Sequence, residues 1–291
     1  MRLRLQTNLG SFLIQTDIDR APRTLRALAA LLPMDVQFHS PKVAGSHIYW
    51  QAPLLEKVEG AADVMSAPPG TFLYWPERQF LELIYAPLQA ETATVSILGR
   101  IEDGIEPLKQ LGEMVRERHG RALLTGRLSL EDGAPEGTGK DIDARLASLY
   151  QLRADLWAAC PGEIDVLMRG RGLMHPAGPL FIAESEARGL HETLWRLLRA
   201  LDDGAPAAAV AFAAGTLCDK AAARLGGFCH LKNASAGVAQ VSAALREDNM
   251  PVAGVLREAI LIAGALSSWL DLQIPWNDVN ETVRRVDGGA D

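Results

Sequence analysis

His39, His47, Tyr49, Trp50, Tyr74, Trp75 and Glu82 form the densest concentration of ionisable and polar aromatic side chains in the sequence. An imidazole and a carboxyl held together can pass a proton near neutral pH, so His39, His47 and Glu82 are the candidates for acid–base chemistry. Trp50, Tyr74 and Trp75 add ring-bearing walls, and a few polar groups set among apolar walls are how small-molecule sites are usually built. The same residues also suit a plainer role, with rings packed in a strand-rich core and their polar tips satisfied there.

A second candidate is the segment Arg169-Gly170-Arg171-Gly172-Leu173-Met174-His175-Pro176. Its glycines let backbone N–H groups approach an anion, and Arg169 and Arg171 could fork onto a carboxylate or phosphate beside His175. It carries neither GxxxxGK[ST] nor GxGxxG order, so it is no nucleotide fingerprint, and an exposed Gly/Pro connection is the competing reading. Cys160, Cys218 and Cys229 lack the spacing that would bring two ligands to one helical face or knuckle. No metal site and no cofactor is expected, and the thiols read as small buried apolar groups.

The elements that must position these residues change character along the chain. Leu3 and Leu5 alternate with polar neighbours, Asn8-Leu9-Gly10 supplies a turn, and Ser11 to Thr16 returns as a second strand. Pro22 suits a first helical turn, and Leu25, Leu28 and Leu32 share one face up to Pro33. Strands are predicted over residues 45–51, 71–75, 80–86 and 92–100, with Pro76-Glu77-Arg78 turning between the second and third. After Gly104 the period is helical through Leu108, Leu111 and Val115. Beyond the polar, glycine-rich break at residues 131–139, apolar stripes predict helices near 146–157, 190–201, 207–225, 238–245 and 252–270, with a short capping helix over 277–286.

Composition narrows the classes. The chain has 291 residues, 48% hydrophobic and 22% charged, with 29 Lys+Arg against 36 Asp+Glu and a formal charge of −7. That describes a folded globular protein and argues against a nucleic-acid surface, which needs basic residues in excess. The start of the chain has no apolar signal segment, and three cysteines build no disulfide framework, so the expected location is cytoplasmic. The most apolar stretch, residues 252–272, carries Arg257 and Glu258 and reads as a buried helix, with no membrane partner expected. Ala205 to Gly226 is rich in alanine and suits close helix packing or contact between subunits of a homo-oligomer.

The run Gly70-Thr71-Phe72-Leu73-Tyr74-Trp75-Pro76, followed by Phe80-Leu81-Glu82-Leu83-Ile84-Tyr85, resembles a set of bacterial proteins with a cyclophilin-like fold. The early hairpin, Ala21-Pro22-Arg23-Thr24, Leu31-Leu32-Pro33, His39 and Ile97-Leu98-Gly99-Arg100-Ile101 lie in order around it, so the resemblance covers residues 1–115. It implies a closed, mainly antiparallel β-barrel with a helix at its end, and it carries no established activity. This chain departs at Pro76-Glu77-Arg78, where a Pro-Gly turn is usual, and at Gly45-Ser46-His47, where an acidic residue often follows the glycine. The Phe-His-Arg and Gln-Phe-Phe segments of authentic cyclophilins are missing, which leaves only Arg78 and Arg100 for prolyl isomerisation.

The resulting expectation is an α+β protein: a cyclophilin-like antiparallel barrel over residues 1–118, a connecting segment over 119–140, and an α-helical bundle over 141–291. It would bind, or act on, a small polar metabolite through an aromatic-lined pocket. The rival is an enzyme with a site between the domains, holding an anionic substrate on Arg169, Arg171 or His175 and moving protons on His39 or His47.

Overall fold

The computed structural model describes residues 1–43, 45–89, 91–102, 104–131, 143–169 and 177–287. They form two compact units, one of residues 1–139 with 275–291 and one of residues 140–274.

The first unit is a nearly closed antiparallel barrel. Its strands are β1 (Arg2–Thr7), β2 (Gly10–Thr16), β3 (Met34–Gln37), β4 (His47–Gln51), β5 (Ala61–Asp63), β6 (Thr71–Trp75), β7 (Phe80–Ile84), β8 (Thr94–Ile101) and β9 (Thr125–Leu130). They run in the order β3-β9-β1-β2-β8-β6-β7-β4, with β5 paired beside β8. The free edges of β3 and β4 meet just past β3, where His39 N donates to Tyr49 O at 2.8 Å and Tyr49 N to His39 O at 3.3 Å. Alternation along each strand sends Leu3, Leu5, Phe12, Ile14, Ile48, Trp50, Phe72, Tyr74, Leu81 and Leu83 into one core. Helices α1 (Pro22–Ala29) and α2 (Ile105–Arg118) pack on that core through Leu25, Leu28, Leu108 and Leu111.

The start of α1 has no cap from its own neighbours. The carboxylate of Glu59 supplies it, accepting from Arg23 N at 3.2 Å, Thr24 N at 2.7 Å and Thr24 Oγ1 at 2.8 Å.

The segment 119–140, expected to connect two domains, holds β9, which lies between β1 and β3 and pairs with both. The chain's last helix, here called α9 (Trp276–Asp287), groups with the barrel unit and not with the helical one. Arg121 grips it with a bidentate pair to Asp278, and Asn277 Nδ2 donates to Arg116 O at 2.6 Å.

The second unit is helical: α3 (Ala147–Ala158), α4 (Gly162–Arg169), α5 (Ala177–Asp202), α6 (Ala207–Ala223), α7 (Lys232–Arg246) and α8 (Val252–Asp271). Helix α8 has the length and apolarity of a membrane span, yet most of it is buried against α5, α3 and α7. Helix α6 runs on through a π turn at Arg224–Phe228. Its small residues let it approach α7 closely, where Ser242 Oγ donates to Gly215 O at 3.0 Å.

Candidate functional site

Residue parity on three adjacent strands divides the aromatic group in two. The pairings Tyr49↔Glu82, Leu73↔Glu82 and Trp75↔Phe80 place His47, Tyr49, Leu73, Trp75, Phe80, Glu82 and Ile84 on one face of β4, β7 and β6. Ile48, Trp50, Phe72, Tyr74, Leu81 and Leu83 take the opposite face, which is the barrel core. Trp50 is fully buried there between Phe38 and Phe72. Tyr74 is buried beside it and donates its hydroxyl to Leu54 O at 2.8 Å. These two rings serve the core, while Trp75 lies with a separate apolar cluster of Tyr49, Leu73, Phe80 and Ile84.

At the centre of that second face stands Glu82. Its side chain is 0% exposed, and neither carboxylate oxygen has a hydrogen-bond partner among the described residues. His47 Nε2 lies 3.8 Å from Glu82 Oε2, beyond hydrogen-bond length, and His47 Nδ1 is also without a partner. Burial pushes the Glu82 carboxyl well above the usual carboxylate range, the Glu91 charge adds to this, and Arg78 opposes it. Burial lowers the His47 imidazole from 6.5 to about 4. Burial thus favours the protonated acid for Glu82 and the neutral base for His47.

Aromatic rings wall the pair. Tyr49 and Phe80 have centroids 4.4 Å apart, His47 and Tyr49 5.9 Å, and Trp75 meets Phe80 edge-on at 6.4 Å. The Arg78 guanidinium lies over the Trp75 ring, 4.6 Å from its centroid. The β6–β7 turn that carries Arg78 lacks the expected glycine, and Gln79 takes the left-handed conformation instead, with φ 52°.

The remaining sequence candidates lie elsewhere. His39 is buried and stacks on Tyr49, centroids 4.8 Å apart and planes 19° apart, and the imidazole within ion-pair reach of Glu82 is that of His47. Arg169 is exposed at the end of α4 and pairs with Asp165 at 3.0 Å. Arg171 and His175 lie outside the described residues. Burial raises the Cys160 thiol to about 11 and that of Cys218 to about 12, which keeps both protonated and poorly nucleophilic. Arg100 lines an open cavity of ≈ 510 Å³ with Gln15, Thr71 and Gly99, whose charged groups Asp17, Asp19, Arg20 and Arg100 are all solvent-exposed. Two contributors escaped sequence reasoning: Glu91, whose charge bears on Glu82, and Phe80, whose ring faces Tyr49. The signal for Phe80 was present, since Phe80, Glu82 and Ile84 alternate on one strand.

A nearly closed antiparallel barrel of this topology, followed in the chain by a helical unit, gives the amino-terminal part a cyclophilin-like fold. Residues 19–121 match the model of the Cyclophilin-like family and form a cyclophilin-like segment of the chain. Among solved structures, McbB in complex with tryptophan is similar over 96% of this chain and 99% of that chain, with a TM-score of 0.78 and 19% identity. That likeness extends the shared fold beyond the barrel into the helical half. The solution structure of the hypothetical protein AF2241 from Archaeoglobus fulgidus is similar over 44% of this chain and 93% of that chain, with a TM-score of 0.34 and 24% identity. No curated protein matches the chain.

Proposed function

We propose that this protein binds a small aromatic metabolite with polar ends, of the chemistry of tryptophan, against the Glu82 face of the barrel, and that Glu82 and His47 move a proton on it. The observation that carries the reading is Glu82 itself, a fully buried carboxyl with neither oxygen hydrogen-bonded among the described residues. An orphan buried acid weakens a fold, and such groups are retained where they do chemistry. Tyr49, Trp75 and Phe80 supply ring faces and edges suited to an aromatic ligand. The similarity to a structure holding tryptophan supports that ligand class. The upward shift of the carboxyl favours the protonated form a donor needs, and the lowered imidazole pKa leaves His47 able to accept.

Calorimetric titration and thermal shift with tryptophan, for the native chain and Glu82→Gln, test the reading. Saturating tryptophan should raise the stability of the native chain, by about 2.7 kcal/mol at a hundredfold excess over Kd, and Glu82→Gln should weaken that gain. Absence of binding by tryptophan and by simpler indoles, or equal binding by the variant, would overturn it.

A further inference from the structure

We infer that the barrel unit carries a second ligand site, a cleft for a small polyanion closed on one side by α9. In a chain of formal charge −7, a cavity of ≈ 340 Å³ gathers four basic side chains, Lys42, Lys109, Arg116 and Arg284, and one acid, Glu113. Two helix faces supply most of them. Lys109, Glu113 and Arg116 recur on α2 at the spacing i, i+4, i+7, and Asn277, Asn280 and Arg284 recur on α9 at i, i+3, i+7, so each set presents a single face. The cleft therefore offers a net excess of positive charge with amide side chains set among the cations. Guanidinium forks and ammonium groups converging on a concave space recognise phosphate or carboxylate oxygens. The volume suits a small molecule and not a polymer.

The wall is built firmly. A Cβ at Gly112 would come within 2.2 Å of the Tyr85 ring, so α2 lies flush on Tyr85. The Tyr85 hydroxyl in turn donates to Gly45 O at 3.3 Å, and Tyr85 N donates to Ser46 O at 2.9 Å. On the other side, Lys42 Nζ sits 4.2 Å from the centroid of the Trp276 ring at the start of α9. An anion in the cleft would bridge α2 to α9, adding to the holds that Asn277 and Asp278 already make on Arg116 and Arg121. Ligand binding and docking of the carboxy-terminal helix are thus coupled.

The experiment is calorimetric titration of the full chain with inorganic pyrophosphate and, separately, with citrate, at low salt and at about 0.3 M salt. It is repeated on Lys109→Gln/Arg116→Gln and on Arg284→Gln, all exposed positions whose neutralisation leaves the core untouched. One or both anions should bind with one-to-one stoichiometry, more weakly in salt, and at least about tenfold more weakly in the double variant. The pyrophosphate and citrate arms separate a phosphate ligand from a carboxylate one. Hydrogen exchange across residues 276–287 should slow on binding in the native chain and not in Arg284→Gln. No saturable binding of either anion, an affinity indifferent to the double substitution, or unchanged exchange in α9 would each overturn the proposal. Glu82→Gln should bind these anions as the native chain does, so this site and the Glu82 site stand or fall separately.

Discussion

His47 and Glu82 are diagonal neighbours across the β4–β7 pair with 3.8 Å between Nε2 and Oε2, both side chains almost wholly removed from water. Burial disfavours the charged form of each, and the consequence appears in how stability depends on pH.

For His47, the unfolded chain takes up a proton below 6.5, while the folded chain refuses it until about 4. Its contribution is fully present above 6.5 and is lost as pH falls from 6.5 to 4, a change on the order of 3 kcal/mol. Glu82 acts in the opposite direction. The folded state keeps a proton that the unfolded state releases above 4.5, so its contribution is present below 4.5 and is lost as pH rises toward the raised folded value. Denaturant titrations across pH should show the acid limb flattened in His47→Asn and the alkaline limb flattened in Glu82→Gln.

Glu82→Leu should stabilise the protein by about 1–3 kcal/mol at neutral pH, since it replaces a buried acid with no hydrogen bond among the described residues by an apolar group among Tyr49, Leu73 and Ile84. The same variant should lose the proton transfer proposed for Glu82. Stability gained together with function lost is the signature of a site retained for chemistry, and chemical denaturation midpoints at constant slope would measure it.

Glu59 is the cap that α1 lacks locally. Burial pushes its carboxyl up, and the hydrogen bonds from Thr24 and Arg23 outweigh that, leaving the group below its ordinary value of 4.5. Glu59→Ala should cost about 1–3 kcal/mol by leaving Thr24 N and its hydroxyl unsatisfied. That loss should be measurable at pH 7 and should shrink as pH falls below 4.5, where the native carboxylate itself is titrated away.

Two glycines should respond with opposite sign. A Cβ on Gly99 would stand 2.2 Å from Gln15 O in the paired strand, so Gly99→Ala should lose about 3 kcal/mol. Gly189, exposed within α5, has nothing within 4 Å of an added Cβ, and Gly189→Ala should gain about 0.5–1 kcal/mol. Thermal melts of both variants give the comparison.

The barrel was legible because its strands advertise themselves. Thr71–Trp75 and Phe80–Ile84 are dense in aromatic and aliphatic residues and flank a proline turn, and the cyclophilin-like resemblance rested on that hairpin. Strand β9 was harder, since Thr125–Leu130 contains a glycine, buries only Leu128 fully, and stands next to the polar break that looked like a linker. Its partners β1 and β3 lie far away in the sequence, and local pattern says nothing about such pairing. The same limit governed the site. His47, Tyr49, Trp75 and Glu82 were all visible as candidates together with Trp50 and Tyr74, but which of them share a face depends on register between strands. The pairings Tyr49↔Glu82 and Trp75↔Phe80 separate the core rings from those around the acid.

The barrel's circumference is uneven in strength. β1 and β2 are zipped over six residue pairs, whereas the chain just past β3 is joined to the middle of β4 by the two reciprocal hydrogen bonds of His39 and Tyr49. That clasp is the natural place for the wall to breathe. Because Tyr49 is also the residue opposite Glu82, one excursion frees both its amide for exchange and the acid for wetting. Exchange at Tyr49 and the proton transfer proposed for Glu82 should therefore keep the same clock.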